Sequence, residues 1–345
     1  KRKILWKHCL RNVMPTIVSI MAVSVPHVTG GTVTVEAVFN YAGIGNLAVE
    51  SAKYHDYNLL MIDVLITGFI VFLSSFVAQT VNEEIDPRMK DSEVRVVGAG
   101  WKQQGSEKRK KTFREKLKGK PVFSMFLLFL IVLGCVFANV VANHDPLGFY
   151  LQNLNTPPGK EFIFGTDSLG RDIYSLIWYG GRVSLVIGLL GAAIITLVGV
   201  TYGCISGTAG PKVDSVMMRF TEMCGSIPTL LLILILSAVI QANDVISISV
   251  IIGITGWFAL ARIVRSEVRQ IRNSDYVMYA RLCGGSFGYV MYHHLIPNFV
   301  SAIMFVVISS ISSCITMEST LSFLGLGLPA DVVSWGSMLS LANKA

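Results

Sequence analysis

The residues of this chain that could do chemistry are few, and their spacing argues against catalysis. His293 and His294 are adjacent, yet no H-E-x-x-H ligand pair occurs and no nucleophile stands at a recognisable spacing from a base. A G-x-x-x-x-G-K-[ST] phosphate loop is also missing, so the chain is not expected to bind and hydrolyse ATP in the usual way. The six cysteines, Cys9, Cys135, Cys204, Cys224, Cys283 and Cys314, show no C-x-x-C spacing. Small buried hydrophobes are their expected role, not disulfides or metal ligation. Neither an enzymatic centre nor a bound metal or cofactor is expected.

The remaining polar residues suit gating and binding. Asp63 lies inside an apolar run, where a charge costs several kcal/mol unless it is paired or wet. Substrate contact is one reading of it; snorkelling or an interhelix hydrogen bond is the other. His27, beside Pro26 and near Gly30-Gly31, marks a kinked helix that either faces a pore or packs. In the segment GTDSLGRD, Gly165, Thr166, Asp167, Gly170, Arg171 and Asp172 have the look of an outer gate element. Local ion pairs that tie down the loop account for its charges equally well. Arg219 and Glu222 read as an i, i+3 ion pair at the inner boundary.

These residues must be positioned by elements that live in a bilayer. Hydrophobic residues make up 52% of the 345 positions and charged ones 15%, with a mean hydropathy of +0.58. Soluble domains usually carry about 25% charged residues. Seven apolar runs follow one another, at 13–35, 58–81, 122–141, 183–206, 227–242, 245–261 and 299–317. Gln241 to Asp244 reads as a tight turn that makes a hairpin of the fifth and sixth. The expected fold class is an all-α polytopic membrane protein.

Basic residues orient the spans, because short loops rich in Lys and Arg stay in the cytoplasm. With Lys1 inside, segments 1–12, 82–121, 207–219 and 262–298 carry 24 of the 29 basic residues. That asymmetry supports the spans, and it explains the net charge of +7 without nucleic acid. The densest stretch, KRKKTFREKLKGK at 108–120, reads as a solvated linker with a membrane-surface helix. It ends a linker, 91–120, between two units. The chain begins at Lys1 with no initiator Met and no signal-peptide pattern, and its start is expected to be truncated.

An internal repeat links the two units. His8 and Asn12 precede the first span, and Glu36, Gly43 and Gly45 follow it. His294 and Asn298 precede the last span, and Glu318, Gly325 and Gly327 follow it. Both copies run from inside to outside, as parallel repeats related by an axis along the membrane normal.

The longest cytoplasmic loop of the second unit spans 262–298. Arg262, Arg265, Arg269 and Arg272 recur at helical spacing, and Ser274-Asp275 offers a start for a short helix through Ala280 that meets Gly284-Gly285. Such a basic, small-residue elbow is shaped to insert into a partner. This loop resembles the coupling loop of type I ABC importer permeases, with Ala280, Gly284, Pro297 and Asn298 on the pattern and His294 on that of the peptide branch. Met278 and Tyr279 stand where that branch usually has Glu and Ala. FGTDSLGRDIYS with the following YGGRVSL, ESTLSFLGLG and SWGSML are similar to the dipeptide/oligopeptide/nickel branch. Residues 121–345 resemble its second permease except the last helix, with five spans. Residues 1–90, with VEAVFNYAGIGN and DPRMK, resemble the last third of its first permease, with two.

The resemblance implies a type I importer fold in the bacterial cytoplasmic membrane, taking peptides or a similar small solute inward. It assigns ATPase coupling to Asp275, Ala280, Arg281, Gly284, Gly285, Ser286, His294, Pro297 and Asn298, and to His8 and Asn12 of the first copy. ATP and Mg would sit on separate ATPase subunits, an extracytoplasmic binding protein would deliver the solute, and another permease chain is a further partner. An ion-coupled secondary transporter is the rival reading. It needs membrane-buried acids at corresponding positions of the repeats, and only Asp63 qualifies.

Overall fold

The computed structural model describes residues 32–36, 39, 41–54, 56–85, 122–241, 244–272, 274–329 and 331–344. His8, Asn12, His27 and the linker 91–120 lie outside the described residues. Among the described residues the structure is helical, and pairing of extended chain is confined to one antiparallel bridge between Thr166 and Asp172. The helices are α1 (Ile44–Lys53), α2 (Tyr57–Ile85), α3 (Val122–Val136), α4 (Ala138–Val141), α5 (Ile173–Thr208), α6 (Pro211–Gly225) and α7 (Thr229–Ile240). They continue with α8 (Val245–Gly256), α9 (Phe258–Ile271), α10 (Asp275–Leu282), α11 (Phe287–Val290), α12 (Ile296–Phe323) and α13 (Trp335–Lys344). A π-helical turn, Met291–Leu295, leads into α12.

The described residues fall into two compact units, 72–85 with 122–137, and 32–71 with 138–344. In the first, α3 exposes Phe123, Phe126, Leu128 and Phe129. Such a surface belongs against lipid, where a helix satisfies every backbone group internally. In the second, α5 is central and packs against α8, α9 and α12. Ile187, Cys204, Ile248, Leu260 and Cys314 are buried there.

Local chemistry sets the helix ends. α5 begins at Ile173, upstream of the apolar run, because Asp172 caps it and accepts from Ser175 N at 3.1 Å. α7 stops at Gln241, in left-handed conformation, and Asp244 caps α8 by accepting from the amides of Ile246 and Ser247. α7 and α8 pack against each other, while residues 242–243 of the expected turn lie outside the described residues. Residues 207–219, read from sequence as a loop, instead contain most of α6, started by Pro211 in its first turn.

Among the described residues two helices are each long and apolar enough to cross a bilayer, Ile173–Thr208 and Ala302–Phe323. The number rises to four if each bent pair is one span: α6 with α7, bent by 83°, and α8 with α9, bent by 47°. Shorter apolar stretches occupy Tyr57–Leu73 and Phe123–Val136. This is an all-α polytopic membrane protein.

Candidate functional site: a clamped elbow and an outer loop

The elbow begins where α9 leaves α8 and runs beside α5. Leu260, Ala261, Val264 and Val268 form the buried stripe of α9. Facing them, α5 presents glycines one turn apart, which lets the backbones approach closely. A Cβ at Gly203 would stand 2.6 Å from Ala261 O, and one at Gly207 would stand 2.8 Å from Val268 Cβ.

A buried carboxylate fixes the end of this pair nearer the elbow. Asp214, in the first turn of α6, is 2% exposed. It accepts from Arg265 Nε at 2.5 Å and Nη2 at 2.6 Å, from Ser206 Oγ at 2.6 Å, and from Arg269 Nη2. The fork of Arg265 is bidentate, the strong geometry for a carboxylate. Burial pushes the Asp214 carboxyl up, but hydrogen bonds from Arg265 and Ser206 and the charges of Arg265 and Arg269 outweigh it. The net effect holds it below the ordinary carboxylate range. Arg272 Nη1 donates to Gly207 O at 2.9 Å. Three of the four arginines that sequence spacing assigns to a partner thus act within the chain, and Arg262 alone of the four is exposed.

Beyond this clamp, Ser274 Oγ donates to Ile271 O at 2.6 Å and α10 starts at Asp275. Val277 is buried and anchors the helix. After α10, Gly284 takes φ +84, and Gly285 N donates to Ala280 O at 3.0 Å. Ser286 Oγ accepts from Tyr289 N at 3.3 Å, starting α11. Pro297 lies in the first turn of α12 and Asn298 follows it, exposed. Asp275, Arg281 and His294 belong to these helical turns, while their side chains lie outside the described residues. The exposed tip of the elbow is apolar and aromatic: Met278, Tyr279, Leu282, Tyr289 and Tyr292.

In the outer loop, Asp167 Oδ1 accepts from Leu169 N and Arg171 N, and its Oδ2 from Arg171 Nε at 2.9 Å. This is the local ion pair that the sequence offered as an alternative to a gate. Thr166 Oγ1 donates to Asn153 O and accepts from Thr156 N, stapling two turns together. Gly165 and Gly170 have φ +77 and +76, and a Cβ at Gly170 would stand 2.5 Å from Tyr150 O. A cleft of about 300 Å³ lies between this loop and α13, lined by Asn155, Thr166, Arg171, Ile173, Met338 and Leu341.

Asp63 is 5% exposed, and among the described residues its Oδ2 has no hydrogen-bond partner. Arg219 Nη1 donates to Glu222 Oε2 at 3.0 Å on an exposed surface, as the i, i+3 spacing implies. Among the described residues no group of three or more His, Cys, Asp or Glu could hold a metal ion. Of the described cysteines, Cys135, Cys204 and Cys314 are buried, Cys224 is half-buried and Cys283 is exposed. Sequence reasoning missed Asp214 and Ser206. An acid four residues past Gly210-Pro211, opposite arginines spaced by four, was the available signal.

The family described as "Binding-protein-dependent transport system inner membrane component" matches residues 1–91 and 199–343. The oligopeptide transport system permease protein OppC of Bacillus subtilis (strain 168) is 37% identical over 216 residues, 63% of this chain and 70% of that protein. The dipeptide transport system permease protein DppC of the same organism is 37% identical over 214 residues, 62% of this chain and 67% of that protein. The oligopeptide transport system permease protein OppC of Haemophilus influenzae is 38% identical over 185 residues, 54% of this chain and 59% of that protein. An all-helical membrane architecture and two separately matched stretches agree: the chain belongs to the family of binding-protein-dependent transport system inner membrane components.

Proposed function

We propose that this chain is the permease part of an ATP-driven importer that carries peptides into the cytoplasm by alternating access. The observation that carries the reading is the elbow, a short helix that follows a helix pinned by an internal arginine–carboxylate clamp and that offers an exposed apolar and aromatic tip. A stiff plug of that kind suits a pocket on a motor subunit, since binding gains affinity when the docking element is ordered in advance. ATP and Mg then belong to separate ATPase subunits. The outer loop and α13 face the side from which an extracytoplasmic binding protein delivers solute. Peptides are the proposed cargo because the similar permeases from Bacillus subtilis and Haemophilus influenzae are named for oligopeptide and dipeptide transport.

Two partial permease units, 1–90 and 121–345 joined by the linker 91–120, fit the two matched stretches and the internal repeat. His8 and Asn12 in the first copy are proposed to serve the same docking role as His294 and Asn298 in the second. Asp63 and His27 are the proposed pore positions, and Gly165 to Asp172 the outer gate loop.

Photo-crosslinking from position 286 in the assembled complex tests the docking, with an ATPase subunit as the expected product. Capture of no ATPase by an intact complex overturns it. Reconstituted vesicles are expected to take up peptide only when ATP reaches the ATPase. Uptake that follows a proton or sodium gradient and survives removal of the ATPase establishes the secondary transporter instead.

A further inference from the structure

The repeat that sequence shows as E-x-x-x-x-x-x-G-x-G has the same physical content in both copies. In each, a glutamate precedes a G-x-G turn, and a ten-residue helix follows: α1 in the first copy, α13 in the second. Glu36 Oε2 accepts from Asn46 N, the third residue of α1, at 2.9 Å. Glu318 is fully buried, and its Oε2 accepts from Ser184 Oγ at 3.0 Å. Ser184 Oγ in turn accepts from Trp335 N, the first residue of α13, at 3.2 Å. One carboxylate therefore serves the N-terminus of its helix directly, and the other through a hydroxyl relay.

The electrostatics agree with this placement, since free amides at a helix N-terminus carry partial positive charge and favour a nearby anion. The glycines supply the room. A Cβ at Gly45 would stand 2.9 Å from Glu36 Oε2, and one at Gly327 would stand 2.6 Å from Ser322 Cα. Ser322 Oγ also donates to Glu318 Oε1 at 2.8 Å, so the second carboxylate is held from the turn side as well. The two modules meet, with the Lys53 ammonium 4.0 Å from the position of a Cβ at Gly325.

We propose that Glu36 and Glu318 are equivalent positioning residues, each latching an outer helix to the preceding span so that movement of the span carries α1 and α13 with it. This rests on the transport reading for its purpose, but the latch itself is measurable without transport. In a chain freed of its native cysteines, assembled with its ATPase in lipid nanodiscs, spin labels at Tyr54 and Leu339 report the distance between the two helices. Both positions are exposed, at 82% and 58%.

The unsubstituted pair is expected to give one narrow distance distribution that shifts on vanadate trapping. Glu318→Ala and Ser184→Ala are each expected to at least double its width and abolish the shift. Glu318→Gln, which keeps an acceptor oxygen, recovers at least half of the lost sharpness, and Glu36→Ala broadens the distribution from the α1 side. Unchanged width and shift in Glu318→Ala overturn the latch even where uptake falls. Should Glu318→Ala fail to assemble, Ser184→Ala, which removes only the relay, decides in the same way. Broadening by these substitutions, with no ATP-driven uptake by the unsubstituted complex, would sink the importer reading and leave the latch standing.

Discussion

Replacing Asp214 with Ala asks how much the elbow owes to its clamp. The carboxylate is 2% exposed and accepts charge-assisted hydrogen bonds from two arginines as well as one from Ser206. Removing one partner of a buried ion pair costs about 3–5 kcal/mol. The side chains of Arg265 and Arg269 keep 22% and 28% exposure, so water compensates part of the loss and the lower figure, about 3 kcal/mol, applies. If that ordering energy passes in full to docking, the ATPase binds about 100-fold more weakly, at about 1.4 kcal/mol per tenfold. Titrating purified ATPase against the permease in nanodiscs reads this directly. Arg219→Ala is the control: its pair with Glu222 is 76% and 48% exposed, and the expected change is less than about twofold. A folded Asp214→Ala permease that binds within about twofold of the parent refutes the reasoning. The pH dependence adds a sign. A carboxyl whose folded value is depressed stabilises fully above its unfolded value, ordinarily 3.8, and loses that contribution as pH falls through the folded value. Docking through the clamp is therefore flat from about pH 8 to about pH 5, and the acid-side loss attributable to Asp214 is absent in Asp214→Ala.

Three further substitutions follow from the geometry. Gly203→Val drives a side chain into Ala261 O and Val264, and overpacking of this kind costs about 1–3 kcal/mol or more; a lower thermal midpoint of the detergent-solubilised protein is expected. Gly170→Ala puts a Cβ against Tyr150 O at φ +76, a conformation costing about 1–2 kcal/mol for an L-residue before any clash. Limited proteolysis should then cut the outer loop faster, and an unchanged rate would show that the turn is not held as described. Asp63→Asn removes a buried charge whose Oδ2 lacks a partner among the described residues, so the thermal midpoint is expected to stay or rise. A fall of more than about 4 °C, about 1–2 kcal/mol for a chain of this size, would reveal a partner.

Much of the fold was legible because bilayer spans announce themselves by length and apolarity. The elbow's start at Ser274-Asp275 and its end at Gly284 were also readable, since capping and left-handed turns depend on local chemistry. What escaped was long-range. Nothing near Asp214 in sequence says that Arg265 and Arg269 will meet it, more than fifty residues away. The arginine spacing was therefore read as a surface for a partner, when pairing across the fold is what the periodicity serves. α6 escaped for a related reason: its apolar residues form no long run and its flank is basic, so it looks like a loop, and only Pro211 in its first turn hints at a helix. The outer loop was half legible, because the Asp167–Arg171 pair is local while the cleft against α13 is not.

The close approach of α5 and α9 has a mechanical consequence. Two helices whose backbones nearly touch, and whose far ends are pinned by a buried fork of arginine and carboxylate, have no soft coordinate between them. A push on the elbow is therefore delivered along α5 with little lost to bending at the joint. Compliance has to sit where the chain is broken, at the 47° bend near Trp257 and the 83° bend before α7. If the elbow docks as proposed, those two corners are the pivots of the lever, and α5, capped at Asp172, is its arm.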